Sequence, residues 1–124
     1  MKYACLVYVE AATMMQLSEA DGATLTDASI NYDLELSRGG NMIAAEALQA
    51  PESAMTIRVR NGKASHVDGP FAETKEFLAG FILIEARDFN DAVRIAEGIP
   101  MAGYGSVEVR PIMALQHSEG GEQP

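Results

Sequence analysis

Apolar residues in the first ten positions fall on both alternating sets, with Tyr3, Cys5, Val7 and Val9 on one and Ala4, Leu6 and Tyr8 on the other. That pattern predicts a strand over residues 2–10 covered on both faces. Small and polar residues follow from Ala11 to Ala23, which predicts a connection with one helical turn near Leu17–Asp21. Thr24, with Asp27 three residues on, resembles a helix-capping pair, and Gly39-Gly40 supplies a stop. Between them the pattern reads two ways. Ala28, Ile30, Tyr32, Leu34 and Leu36 alternate as in a strand, whereas Leu25, Ala28, Tyr32 and Leu36 share one helical face. The cap and the stop favour a helix. Ile30 and Leu34 then lie opposite and need a second cover, such as another subunit.

A second strand is expected over Met42–Leu48, ended by Pro51. Met55–Arg60 alternates and meets Asn61-Gly62, the strongest short-range hairpin signal, with a return arm over Lys63–Asp68. A two-residue loop pairs Arg60 with Lys63, Val59 with Ala64, Ile57 with His66 and Met55 with Asp68. Phe77–Ala86, with its apolar run Phe81–Ile84, predicts a central strand. Asp88 is a ready helix cap, Phe89, Ala92, Val93 and Ala96 form an apolar stripe, and Gly98 and Pro100 stop the helix. The last strand is expected over Ser106–Leu115. The order β-α-β-hairpin-β-α-β describes an α+β domain of ferredoxin-like βαββαβ type, with an extra hairpin and an antiparallel sheet. Two helices cover one sheet face, so strands apolar on both faces call for an identical sheet, and a homodimer is expected.

Length changes the picture little: 124 residues make one domain, read as residues 1–115, with a flexible tail over 116–124. Charge excludes more. Nine basic against eighteen acidic residues leave a net charge of −9, which repels nucleic-acid backbones and anionic lipid, so neither is an expected partner. The N-terminal apolar run is too short to span a bilayer and lacks a cleavage site. The single Cys5 and the two histidines, His66 and His117, form no disulfide framework or zinc constellation. A soluble, cytoplasmic protein without cofactor or metal is expected.

The hairpin register puts His66 and Asp68 on the same face as Met55, Ile57 and Val59, expected to be interior. A carboxylate there must be paired, hydrogen-bonded or protonated, and a raised pKa beside a cleft makes a general base. Asp before Gly-Pro equally well caps its own turn. His66 is a weaker candidate, and a strand-end imidazole is commonly structural. Glu46, in the strand Met42–Leu48, either faces the same cleft or is an edge charge. The run Glu73-Thr74-Lys75-Glu76 is a polar clamp or a solvated surface. Arg58 and Arg60 lie on the opposite hairpin face and reach solvent or another subunit. Nucleophile-elbow, phosphate-loop and dinucleotide fingerprints are missing from the sequence.

The nine residues Asp68-Gly69-Pro70-Phe71-Ala72-Glu73-Thr74-Lys75-Glu76 resemble the signature of the YCII-related proteins, in their DGPF-domain branch. Met1-Lys2-Tyr3, Glu46-Ala47-Leu48-Gln49, Val59-Arg60-Asn61-Gly62 and Gly105–Pro111 resemble that branch as well, so the likeness covers roughly residues 1–114. The resemblance implies a dimeric α+β barrel with Asp68 lining a cleft in each protomer. It suggests two roles. One is a small-molecule enzyme of lyase or isomerase type, with Asp68 as acid and base and His66, Glu46, Phe71 and Tyr104 shaping the pocket. The other is a non-catalytic, ligand-sensing or accessory protein associated with an extracytoplasmic-function sigma factor. Some relatives in the wider family resemble small-molecule lyases or dehalogenating enzymes that use a His–Asp pair. Here no histidine stands in the first helix, and His66 lies outside the shared motif.

Overall fold

The computed structural model of the chain describes residues 1–122. Along these run β1 (Lys2–Glu10), α1 (Ala11–Met15), α2 (Glu19–Arg38), β2 (Met42–Ala47), β3 (Met55–Arg60), β4 (Lys63–Asp68), β5 (Glu76–Glu85), α3 (Phe89–Glu97) and β6 (Ser106–Pro111). Short 3-10 turns occupy Pro51–Ser53 and Pro100–Gly103. Four strands form one antiparallel sheet in the order β2-β5-β1-β6. β1 and β2 are joined through α2 with β5 inserted between them, and β5 and β6 are joined through α3 with β1 inserted. This pair of split crossovers is the expected ferredoxin-like arrangement.

Strand periodicity decides what the helices cover. Tyr3, Cys5 and Val7 of β1 and Ile82 and Ile84 of β5 share one core with Leu36 of α2 and with Ala92, Ile95, Ala96 and Ile99 of and after α3. Ile84, Cys5 and Ala92 are wholly buried. Burial without any compensating partner pushes the Cys5 thiol up to about 11, so it stays protonated at neutral pH. The other set of positions turns away from the helices. Register pairs Ala4 with Leu83, Leu6 with Phe81 and Tyr8 with Leu78, giving an apolar centre on the second face. Glu108 and Arg110, paired with Leu6 and Ala4, flank that centre on β6.

α2 begins earlier than expected. Ser18 caps it, its Oγ accepting from the Asp21 N–H at 3.0 Å, and Glu19 and Asp21 fill the first turn where negative charge is favourable. Thr24 therefore lies inside the helix, and its hydroxyl donates to the Ala20 carbonyl at 3.0 Å. Ile30 and Leu34 are 54% and 47% exposed, as the helical reading required. In α3 the Asp88 cap holds, accepting from the Asp91 N–H at 2.8 Å. Its buried stripe, however, is Ala92, Ile95 and Ala96. Phe89 is half-exposed, set edge-on to Tyr3 with ring centroids 6.1 Å apart. β6 stops at Pro111 rather than Leu115, opposite Tyr3 near the start of β1, and Ile112 N–H still donates to the Lys2 carbonyl at 3.0 Å. Gln116 and Glu122 bridge across a small turn, while residues 123 and 124 of the expected tail lie outside the described residues.

The hairpin has the predicted register throughout, from Arg60 opposite Lys63 to Met55 opposite Asp68. Asn61 and Gly62, at φ 53° and 75°, both adopt the left-handed conformation that such a turn requires. Its surroundings differ from the expectation. β3 and β4 form a sheet of their own, and the face carrying Met55, Ile57 and Val59 is open, with Ile57 60% exposed. Alternation defines a face; only docking on another element makes it interior.

Candidate functional site

A cavity of about 670 Å³ opens between α2 and the β2–β5 side of the sheet. Its origin is the size of the side chains on both walls. Gly22, Thr26 and Ser29 line it from the helix, while Ala45, Ala47 and Gly80 line it from the strands. Side chains this small leave the helix–sheet gap unfilled. Gly80 is required by close approach, since a Cβ there lies 2.7 Å from the Glu46 carbonyl oxygen. Val7, Leu25, Ile82 and Met101 make much of the remaining wall apolar.

One carboxylate, Asp33 from α2, enters this apolar space, and no lysine, arginine or histidine lines it; Glu46 lies along the β2 edge, its side chain in register with Phe81 on the second face of the sheet. Asp33 is half-buried, and burial raises its carboxyl above its ordinary value. No cation or hydrogen-bond donor acts to lower it again. Thr26, Ser29 and Asp33 recur at helical spacing on one side of α2, so two hydroxyl groups and a carboxyl stand along the same wall.

A second hollow, about 420 Å³, is built from the segment after the hairpin. Asp68, Pro70, Glu73, Thr74 and Lys75 line it. Gly69, at φ 104°, makes the turn that follows Asp68 and needs glycine there. That turn is held by the Gly69 N–H donating to the Ala54 carbonyl at 2.7 Å and by the Thr56 hydroxyl donating to the Gly69 carbonyl at 3.0 Å. The expected cap by the Asp68 carboxylate is not what holds it. Lys75 reaches Glu10 at 3.7 Å across the surface.

The residues singled out from the sequence are thus dispersed. Asp68 and His66 share one exposed face of β4. Glu46 lies along the β2 edge of the helix–sheet cavity, but its side chain, in register with Phe81, stands on the second face of the sheet. Phe71 is 79% exposed and lies under the Arg58 guanidinium, 5.6 Å from the ring centroid, so Arg58 covers a ring rather than reaching free into solvent. Tyr104 is half-exposed at the end of the turn Pro100–Gly103 and lines neither hollow. Asp33 is absent from the sequence-derived candidates. Its signal was the Thr26–Ser29–Asp33 spacing on a helix whose periodicity also fitted a strand. Among the described residues no group of three or more His, Cys, Asp or Glu is placed to hold a metal ion. No described helix is long and apolar enough to cross a membrane.

Residues 1–116 match the YCII-related domain, which is most of the chain. The chain belongs to the YCII-related family. It is also similar to an uncharacterized protein of Rhizobium meliloti (strain 1021), 34% identical over 122 residues that cover 96% of this chain and 98% of the other. The YCII-related match takes in every strand and helix described above, and so both hollows.

Proposed function

We propose that this YCII-related protein, of the DGPF branch, binds a small molecule in the cavity between α2 and the sheet, and that Asp33 exchanges a proton with it. One observation carries the reading: a largely apolar cavity of ligand size holds a half-buried carboxyl whose affinity for a proton is raised by burial alone. A carboxyl held this way suits acid–base chemistry of the lyase or isomerase kind. Binding without turnover is the sensor form of the same reading, and there an accessory role beside a sigma factor belongs.

A second reading keeps the chemistry at Asp68, because that carboxylate stands beside Lys75 and Glu73 in the polar hollow and is not used to hold its turn. A thermal-shift screen of small polar and phenolic metabolites decides between them. A ligand at about a hundred times its dissociation constant stabilises the native state by about 2.7 kcal/mol. The cavity reading expects that shift to survive in Asp68→Asn and to vanish in a still-folded Asp33→Asn. The reverse result moves the site to Asp68. No shift with any compound rejects both.

The quaternary part of the proposal is a homodimer joined through the second sheet face, whose apolar centre of Leu6, Tyr8, Phe81 and Leu83 is bordered by Glu46, Glu108 and Arg110. An apolar centre inside a polar margin is how subunit contacts are built. Sedimentation of wild type as a dimer and of Leu6→Lys as a folded monomer is the expected pair of results. A monomeric wild type overturns it.

A further inference from the structure

We propose that the ligand of the helix–sheet cavity is a small organic amine, an apolar body carrying one ammonium group. The inference rests on the cavity being a binding site and adds the chemical class of what enters it. Its lining carries the Asp33 carboxylate and no basic side chain, so an anionic ligand finds nothing there to neutralise it. The whole chain adds to that sign, with a net charge of −9. A cleft lined by one sign of charge concentrates the opposite sign.

The apolar walls argue against a bare metal ion. Hard cations take six or more oxygen ligands, and one carboxylate among Val7, Ile82 and Met101 does not supply them. A carbon body fills that space, while an ammonium has three N–H donors to place. Thr26, Ser29 and Asp33, along one side of α2, offer two hydroxyl oxygens and a carboxylate as acceptors. Asp33 has no cation of this chain acting on it, so an ammonium supplies the charge partner that the fold leaves out.

The test compares three probes of one shape: 2-phenylethylamine, 2-phenylethanol and 3-phenylpropionate. Binding is followed by two-dimensional amide NMR of the full chain, which also reports where each probe sits. The amine is expected to bind about tenfold more tightly than the alcohol and the carboxylate more weakly still, with the preference shrinking in salt. Shifts are expected at Gly22, Ser29 and Gly80. Asp33→Asn keeps side-chain size and is expected to lower amine affinity while leaving that of the alcohol unchanged. Equal binding of amine and alcohol, or tighter binding of the carboxylate, overturns the amine assignment and leaves the small-molecule reading standing. Failure of all three probes to bind, or shifts confined to Asp68–Lys75, overturns both.

Discussion

Ile84 in β5 and Ile57 in β3 both stand on the apolar face of an antiparallel strand, yet Ile84 is wholly buried and Ile57 is 60% exposed. The first belongs to the four-stranded body, where α2 and α3 lie over the sheet. The second belongs to the hairpin arm, which shares no ladder with that body. The two regions have the same local grammar and different cover. Hydrogen-bonded pairing shapes both, but tertiary packing stabilises only the body. The cavity lies in the body and the most distinctive sequence motif begins in the arm, so the place of specific sequence and the place of enclosed space are separate in this molecule.

The largest effect expected from that contrast is on stability. Ile84→Ala should cost about 2–5 kcal/mol in urea unfolding, as for other large-to-small changes in a closed core. Ile57→Ala should cost no more than about 0.5 kcal/mol, as for a surface change. An equal loss for the two would mean that the arm's apolar face is covered in solution.

Electrostatics sharpen the contrast next. Asp91, buried at the start of α3, accepts from the Arg87 backbone N–H at 3.0 Å and from the Arg94 guanidinium at 2.8 Å. The Arg87 backbone bond and then the Arg94 bond hold its carboxyl well below the usual range. With its folded value below the unfolded one, its stabilisation is present above about pH 4 and is lost as the pH falls toward the folded value. Asp91→Asn should therefore lower the urea midpoint at pH 7 and flatten its fall between neutral and acid pH. Asp33 has the opposite sign. Its raised value means that the native state holds the proton more tightly than the unfolded chain, so its contribution falls away as pH rises through the folded value. Asp33→Asn should melt at or slightly above wild type at neutral pH, which a calorimetric scan checks. A clear loss there would make Asp33 a structural residue.

The smallest expected effect is in the arm. Arg58→Ala removes a cation–π contact worth about 0.5–1 kcal/mol at an exposed site. Its readout is faster proteolysis within residues 68–76, with little change in global melting.

What was legible in the sequence follows the same division. Hairpin register, the Asp88 cap and the succession of strands along the chain depend on neighbours in sequence, and they read correctly from alternation and turn chemistry. The start of α2 was misplaced because Thr24 and Asp27 mimic a cap, while Ser18, followed by Glu19 and Asp21, makes the one that forms. Asp33 was invisible for a different reason. A polar residue on an ambiguous helix gains meaning only when small residues from β2 and β5 are brought opposite it and leave space. The hairpin's lack of cover was equally out of reach, since no local pattern records where an arm docks.

Cys5, the only cysteine in the chain, sits at the middle of the central strand with its thiol protonated and sealed beneath the helices. A thiol reagent reaches it only when β1 leaves the sheet. Its labelling rate therefore acts as a built-in clock for global opening, insensitive to fraying of the arm. Any ligand held between α2 and the sheet will slow that clock in proportion to its occupancy, so one sulfur atom can report on binding without a known reaction.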